Sequence, residues 1–196
     1  MKILLKRVDK IKANKGKELL WILEHPTTFT AGIRSTDNEI IDKRIKIIKT
    51  NRGGKTTLHN PGQKIIYFVL DLNKRKKDIR KLITTIEKSI IEFLKIYKIL
   101  GKCDKKNIGI WVNKKKIAAI GLRVSKWIAY HGCSININNN LKEYLKIIPC
   151  GLDNSLRHLR HSQAGAASCE QAHARVTKWS AAPSAEHLSS IGYKMR

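Results

Sequence analysis

The sequence predicts an α/β fold in which helices pack on a mixed sheet. Several apolar runs of strand length, rich in Ile, Val and Leu, are separated by turn residues. One longer segment instead repeats its apolar residues at helical spacing. A length of 196 residues allows one domain with a hydrophobic core, plus short appendages.

The first three strands are predicted from apolar runs. Leu19 to Leu23 ends at Glu24-His25-Pro26, and Ile45 to Ile48 is rich in β-branched residues. Both are expected to be buried strands, with a polar loop between them. Ile65 to Leu70 is a third strand by its length and composition.

Residues 78–100 form the most clearly helical part of the chain. Asp78 is placed to cap the first turn, and Gly101 is placed to end the last one. The apolar residues that would form the buried face are Ile79, Leu82, Ile83, Ile86, Ile90, Phe93, Leu94 and Tyr97.

A hairpin is predicted in the second half of the chain. Ile108 to Val112 and Ile117 to Leu122 flank a turn at Asn113-Lys114-Lys115, which places Lys116 at the start of the second strand. Residues 132–138 alternate apolar with polar side chains, and this pattern predicts a half-buried strand.

A short helix and then a turn are expected next. Asn140 and Glu143 resemble a capping box, with Asn in place of the usual hydroxyl residue. The turn lies at Pro149-Cys150-Gly151. The apolar face of the helix would consist of Leu141, Tyr144 and Leu145.

The net charge of the chain indicates several classes of partner but does not choose among them. Forty Lys and Arg against 15 Asp and Glu give a formal charge of +25, so the surface should attract nucleic acid, anionic lipid or an acidic protein. Strong AT bias in the gene explains the charge equally well, because Lys, Ile and Asn dominate the first three quarters of the chain.

The four cysteines are far apart in the sequence. Cys103, Cys133, Cys150 and Cys169 include no Cys-x-x-Cys pair and no nearby Cys and His with zinc spacing. We therefore expect no metal, and free thiols in a reducing cytoplasm. The apolar run Ile3 to Leu5 is too short for a signal peptide, and no run approaches membrane-spanning length.

The composition changes after residue 155. Residues 156–196 hold eight Ala, six Ser and four His but no Asn, whereas residues 1–155 hold only five Ala. The later segment lacks strong apolar periodicity, so we expect it to be poorly packed. We interpret residues 1–155 as the domain and residues 156–196 as a foreign tail from a frameshift, fusion or read-through, with a native extension as the alternative.

One thiol and one amine could together move an acyl group. A cysteine attacks as its thiolate, and an ordinary thiol with a pKa of about 8.5 needs a nearby cation to ionise near neutral pH. Cys150 is the candidate nucleophile, and Lys116, close to the small residues Ala118 and Ala119, is the candidate amine. From spacing alone, a buried apolar cysteine and a lysine in a solvated turn are the simpler explanation.

The glycine-rich block at Arg52 to Gln63 suits close contact between backbone and ligand. It lacks the Gly-x4-Gly-Lys-Ser/Thr pattern of a phosphate loop, and an ordinary connection between strands is the alternative. His59 and His131 are candidates to orient a substrate or the nucleophile. The alternative for each is a structural histidine bonded to backbone.

Three blocks in this order resemble the lipoyl(octanoyl) transferase family. The first is Arg-Gly-Gly-x-x-Thr-x-His-x-Pro-Gly-Gln at residues 52–63, and the second is Lys-Ile-Ala-Ala-Ile-Gly-x-Arg at residues 116–123. The resemblance covers about residues 15–155. The third block consists of His131-Gly132, Asn136, Asn138 and Pro149-Cys150-Gly151.

The resemblance implies a fold related to biotin and lipoate ligases. It implies transfer of octanoate from octanoyl-acyl carrier protein to a lysine on a lipoyl domain, in 2-oxo acid dehydrogenases and the glycine cleavage H protein. The acyl-thioester cysteine falls on Cys150 and the lysine that lowers its pKa on Lys116, with no cofactor and neither nucleic acid nor membrane as partner. The implied substrate-binding residues are Arg52, Gly53, Gly54, Lys55, Thr56, Thr57, Leu58, His59, Ala119, Ile120, Gly121, Gly132, Cys133 and Ser134.

The sequence departs from the family at three places. Leu58 stands where Tyr is usual and Asn60 where Gly is usual, so the contacts of the loop are expected to differ. After Leu152 the closing helical structure of the family has no counterpart, so the domain is expected to be C-terminally incomplete and its activity stays open.

Two other functions compete with the transferase. An ATP-dependent lipoate or biotin ligase would share the fold but need no thiol, and the Pro-Cys-Gly turn argues against it. A nonenzymatic nucleic-acid binder has only the net charge in its favour.

Overall fold

A computed structural model describes residues 2–104 and 107–149. The predicted turn around Cys150, the boundary at residue 155 and the tail of residues 156–196 lie outside the described residues. The helices and strands are α1 (Lys2–Lys12), β1 (Leu19–Leu23), β2 (Thr28–Ala31), β3 (Ile47–Lys49), β4 (Thr57–His59), β5 (Gln63–Asp71), α2 (Ile79–Ile96), β6 (Lys102–Cys103), β7 (Ile110–Val112), β8 (Lys115–Ser125) and β9 (Ile128–Asn136). Single turns of 3-10 helix occupy Asp37–Glu39, Leu72–Lys74 and Lys142–Lys146.

The strands form two sheets. The large sheet has the order β1-β5-β9-β8-β7-β6, and its neighbouring strands are antiparallel. The small sheet has the order β3-β2-β4, in which β2 runs parallel to β3 and antiparallel to β4. The predicted α/β fold with a mixed strand arrangement and packed helices is confirmed.

The two helices cover opposite faces of the large sheet. Leu82 of α2 packs with Phe68 and Ala129, whereas α1 packs against Val69 and Tyr130. Successive residues of a strand point to opposite faces, so these contacts define an α2 face and an α1 face. None of the helices in the described part of the chain is both long and apolar enough to cross a membrane.

Helix α1 is missing from the sequence-based prediction. Leu4, Val8 and Ile11 recur at helical spacing and are buried, while lysines occupy much of the opposite side. The apolar run Ile3 to Leu5 at its start excludes a signal peptide by its length but does not by itself predict a helix. The pattern that predicts the helix is the spacing of these three apolar residues, which becomes visible only over the whole segment from residue 4 to residue 11.

The prediction that the first two strands are buried is wrong. In β1, Leu20 and Trp21 are 42% and 39% exposed, and in β3, which begins at Ile47 rather than at residue 45, Ile48 is 48% exposed. Each is an edge strand of its sheet. An apolar run predicts a strand but does not reveal whether both of its sides will be paired. The expected polar loop also contains a strand, β2.

Helix α2 starts as predicted and ends earlier. The Asp78 carboxylate accepts a hydrogen bond from the Lys81 N–H and caps the first turn. The helix ends at Ile96 because Lys98 adopts a left-handed conformation (φ 58°), after which the Ile99 N–H donates to Leu94 O. A non-glycine residue therefore closes the helix before Gly101.

The hairpin between β7 and β8 is confirmed, with Asn113 and Lys114 at positive φ. Strand β9 is buried along its whole length rather than half-buried, because β5 and β8 flank it and both faces are covered. The capping box at Asn140 is absent: the Glu143 carboxylate instead pairs with Lys146. Leu145, expected on the apolar face of that helix, is 63% exposed.

Candidate active site

Two glycines lie side by side at the centre of the large sheet, next to a tyrosine. Tyr67, Gly132 and Gly121 lie side by side in the register of β5, β9 and β8, on the α1 face. The glycine-rich loop lies against this row, because the Gly53 N–H donates to Leu122 O at 3.2 Å. A Cβ on Gly53 would lie 2.5 Å from the same oxygen, so only glycine permits this approach of loop to sheet.

Arg52 fixes this loop to the small sheet. Its Nη2 donates to Thr30 O at 2.8 Å and to Thr30 Oγ1 at 2.9 Å, and its Nη1 donates to Gly53 O at 3.1 Å. A planar guanidinium can direct several donors in fixed directions, which suits this set of acceptors. Arg52 therefore links the loop to β2 through Thr30 and also bonds the loop's own backbone at Gly53.

His59 is held neutral next to Arg52. Burial, followed by the charges of Arg52 and His25, lowers the pKa of His59 to about 4. Its Nδ1–H donates to Gln63 Oε1 at 2.7 Å, and Gln63 Nε2 donates in turn to Asn136 Oδ1 at 2.8 Å. At neutral pH the imidazole is uncharged and fixed in one tautomer by this chain of bonds.

His131 has a backbone conformation that is unusual within a strand. Its φ of 72° redirects the side chain, and its ring stacks on that of the neighbouring Tyr130, with centroids 5.0 Å apart. Asn51 joins the two, because Oδ1 accepts from His131 Nε2 at 2.8 Å and Nδ2 donates to the Tyr130 hydroxyl at 3.2 Å. Burial, then the charge of Arg52, lowers the pKa of His131 to about 4.

Within residues 2–104 and 107–149, both histidines are thus bonded to side-chain amides rather than to backbone. A further pair was not predicted: His25 Nε2 and the Tyr67 hydroxyl are hydrogen-bonded at 2.8 Å, and the His25 ring lies 5.9 Å from that of His59. Burial lowers the pKa of His25 and raises that of Tyr67. The Tyr67 hydroxyl is a polar atom in the otherwise apolar run Ile65 to Leu70, and it was the signal in the sequence.

The next residues of the loop turn inward. The buried Glu39 carboxylate accepts the Thr56 N–H at 2.9 Å and pairs with Lys55 Nζ at 3.1 Å. Burial opposes ionisation of Glu39, but the bonds from Thr56 and Lys55 outweigh it and lower its pKa. Thr57 pairs with Thr30 of β2.

Leu58, which departs from the family pattern, is fully buried. It packs with Phe29, Tyr144 and Ile147 in a cluster beneath the small sheet. Its backbone oxygen accepts the Tyr144 hydroxyl at 3.1 Å. The side chain therefore contributes to the core below the loop.

Asn60, the second departure, bonds the loop to the segment that leads towards Cys150. Its Nδ2 donates to Asn140 O at 2.7 Å, and its Oδ1 accepts from Asn139 Nδ2 at 3.1 Å. Further along, the Ile148 N–H donates to Glu39 O at 2.7 Å. The chain is thus anchored at two points before residue 150.

Lys116 is buried with few polar neighbours. It is 4% exposed, its Nζ donates to Ile108 O at 3.2 Å, and it lies 4.8 Å from the ring centroid of Trp111. No carboxylate in residues 2–104 or 107–149 forms an ion pair with it. Cys150 lies outside the described residues, so the predicted pairing of this ammonium with the thiol stays a prediction.

The remaining predicted substrate residues divide between the two faces. Ala119 pairs with Ser134, and Gly121 with Gly132, on the α1 face where the loop lies. Ile120 and Cys133 belong to the α2 face and pack in its core cluster. Burial raises the pKa of Cys133 to about 12, so this thiol stays protonated. Contacts of these residues with substrate stay predictions.

Comparison with known proteins identifies the family. The model of the lipoyl protein ligase A/B catalytic domain matches residues 2–179. An octanoyltransferase of Wolbachia pipientis subsp. Culex pipiens is 48% identical over 157 residues, covering 78% of this chain and 77% of that protein. One of Bartonella tribocorum is 40% identical over 168 residues, covering 79% and 69%.

The chain belongs to the octanoyltransferase family. The predicted family and the prediction of an acyltransferase are therefore confirmed. Among solved structures, lipoate-protein ligase A bound with ATP matches with a TM-score of 0.65 at 15% identity, over 81% of this chain and 70% of that one. A bipartite lipoate protein ligase from Thermoplasma acidophilum matches with a TM-score of 0.60 at 15% identity, over 81% and 69%. These similarities establish the lipoate-ligase fold.

Proposed function

We propose that this octanoyltransferase-family protein moves an octanoyl group from octanoyl-acyl carrier protein, through a thioester on Cys150, to a lysine of a lipoyl domain. The relatives named octanoyltransferase support the cargo, and the lipoate-ligase fold supports a lipoyl domain as acceptor. Lipoyl domains of 2-oxo acid dehydrogenases and the glycine cleavage H protein are the proposed targets.

The observation that carries the proposal is the environment of Lys116. An ammonium has three N–H donors, and within the described residues one carbonyl, Ile108 O, accepts from it. The aliphatic stem packs close to Gly109, where a Cβ would lie 3.3 Å from Lys116 Cε. A buried, sparsely bonded ammonium would favour a thiolate placed beside it and could exchange protons with it.

Two thioester steps account for the transfer. The Cys150 thiolate attacks the carbonyl carbon of octanoyl-acyl carrier protein, and the carrier thiolate leaves and takes a proton from the Lys116 ammonium. The ε-amine of the acceptor lysine then attacks the Cys150 thioester. Cys150 leaves as thiolate while Lys116 Nζ takes the proton released by the amine, which restores the starting state.

The paired glycines Gly132 and Gly121, next to Tyr67, support a place for the acyl chain. An unbranched chain needs an apolar channel with little side-chain volume, and Ala119 and Ile65 continue the same face beside the glycines. The loop at Gly53 would form the wall. Holding the thioester at a fixed position relative to the thiolate supplies much of the acceleration in such a reaction.

Intact-mass spectrometry tests the covalent step. Protein incubated with octanoyl-acyl carrier protein should gain one octanoyl group that hydroxylamine removes, and Cys150→Ala should gain none. Cys103→Ala, which removes an exposed thiol, is the matched control and should acylate like the parent. An adduct that persists in Cys150→Ala would place the nucleophile elsewhere.

The same assay separates the competing functions. Acyl transfer to a lipoyl domain that proceeds without nucleotide supports the transferase. Transfer only when free octanoate and ATP are supplied would indicate a ligase. Absence of both, with tight binding to nucleic acid that weakens steeply with salt, would indicate the binding protein.

A further inference from the structure

The segment 33–49, which includes the edge strand β3, is rich in unpaired positive charge. Four cationic residues of the segment 33–49 form no ion pair within the described residues, namely Arg34, Lys43, Lys46 and Lys49. In the same segment Asp42 is paired with Arg44, and Glu39 with Lys55. Among the acidic residues of this segment, Asp37 is therefore the one whose charge still offsets the four cations.

Exposed apolar side chains accompany these charges. Ile33 is 58% exposed and Ile48 is 48% exposed. Exposed aliphatic side chains such as these can supply apolar contact area to a protein that is attracted by the surrounding charges. We call the four cations with Ile33 and Ile48 the β3 rim.

The β3 rim is continuous with the candidate active site. Ile48 is the register partner of Thr30, so its side chain lies on the same side of the small sheet as the Thr30 hydroxyl that receives Arg52. The Ile33 N–H donates to Arg52 O at 3.1 Å, and the Arg34 N–H donates to Gly54 O at 3.1 Å. A partner seated on the rim therefore touches the segment that carries the glycine-rich loop.

We propose that the β3 rim docks the acidic carrier protein that brings the acyl thioester, an inference that rests on the proposed function. Charge complementarity selects an acidic protein, and distance selects the donor over the acceptor. The loop meets β8 at Gly121, five residues along the strand from Lys116, or roughly 16 Å at the usual rise per residue. A carrier with a long thioester arm spans that distance, whereas the side chain of an acceptor lysine does not.

Charge reversal on the rim tests the proposal. The variant Lys43→Glu/Lys46→Glu/Lys49→Glu is compared with Arg80→Glu/Lys81→Glu/Lys88→Glu, which makes the same charge change on exposed residues of α2, across the sheet from the loop. Two donors are used: octanoyl-acyl carrier protein, and the octanoyl thioester of N-acetylcysteamine, which has no protein to dock.

The rim variant should raise the KM for octanoyl-acyl carrier protein by roughly tenfold or more and flatten its dependence on salt. Acylation by the small thioester should stay at the parental rate, and the α2 variant should match the parent with both donors. Equal losses in the two variants would reduce the effect to net charge and overturn the proposal. A raised KM for the lipoyl domain alone would assign the rim to the acceptor and also overturn it.

Binding of fluorescently labelled acyl carrier protein, measured by anisotropy, keeps the two proposals separable. If no donor acylates Cys150, the proposed function fails, while a weaker anisotropy signal in the rim variant still reports docking. If the small thioester acylates Cys150 and carrier binding is unchanged in the rim variant, docking fails alone. If the triple rim variant has a lowered melting temperature, the single variants Lys46→Glu and Lys88→Glu are compared in its place.

Discussion

Arg52 and Lys116 are two cations of the same site with opposite surroundings. Arg52 is satisfied by the carbonyl and hydroxyl of Thr30 and by Gly53 O. Lys116 is more deeply buried and, among the residues that the structure describes, donates to one carbonyl, Ile108 O. The first arrangement uses the charge to hold a loop in place. The second leaves donor capacity available to a reacting group.

The difference separates positioning from chemistry. A cation whose donors are all directed at fixed acceptors stabilises the fold and changes little when substrate binds. A buried ammonium with unused donors costs stability, because its desolvation is only partly compensated. Such a cost in stability is expected for a residue whose function is to interact with a charge that forms during the reaction.

The largest expected effect is on activity, in Lys116→Met. The thioether keeps the length of the stem and removes the charge, so transfer should fall by about 10² to 10⁴. The free energy of unfolding should stay equal or rise, since a buried charge is lost. Steady-state kinetics and urea unfolding measure the two quantities. Lys115→Met, at the exposed neighbouring position, should leave both activity and stability at parental values. A Lys116 variant that is unstable yet active would instead assign Lys116 a structural role.

Arg52→Lys should show the converse behaviour. Lysine keeps the charge but cannot direct donors at both Thr30 and Gly53, so the free energy of unfolding should fall by about 2 kcal/mol. Urea unfolding measures it. Arg34→Lys is the control that should not change, because Arg34 is exposed and forms no ion pair in the part of the chain that the structure describes. Arg52 would lose its positioning role if the two substitutions were equally tolerated.

The third expected effect is on the slope of stability against pH. His59 and His131 each have a pKa of about 4 in the folded protein, below the ordinary 6.5, so the unfolded chain binds more protons between those values. The contribution of the two histidines to the free energy of unfolding should therefore be fully present above pH 6.5 and be lost as the pH drops towards 4. The loss should reach up to about 1.4 kcal/mol per pH unit for each histidine. His59→Gln should give a shallower slope in urea midpoints. A flat profile from pH 7 to 4.5 would contradict the neutral state of both rings.

Much of the fold follows from local patterns in the sequence. The period of α2, its Asp78 cap and the hairpin at Asn113 depend on neighbouring residues, so they are predictable. The exposure of β1 and the full burial of β9 depend on which strands flank them. That information is set by pairing between distant segments, which a single apolar run does not contain.

The site divides in the same way. The glycine-rich block and Lys116 are visible as motifs, but the bonds between His25 and Tyr67 and between His131 and Asn51 join residues that no short pattern connects. Arg52 was predicted as a substrate-binding residue; the acceptors that hold it come from Thr30 in a segment expected to be a loop.

Strand β9 also determines the order in which the molecule can assemble. It is the last strand of the described chain, yet it joins β5 to β8, and β1 reaches the large sheet only through β5. The hairpin of β8 and β9 is local and closes within microseconds, while β5 must be recruited across an intervening helix. During synthesis one edge of β5 therefore stays unpaired until residue 136 has left the ribosome, and recruitment of β5 is the expected slow step of folding.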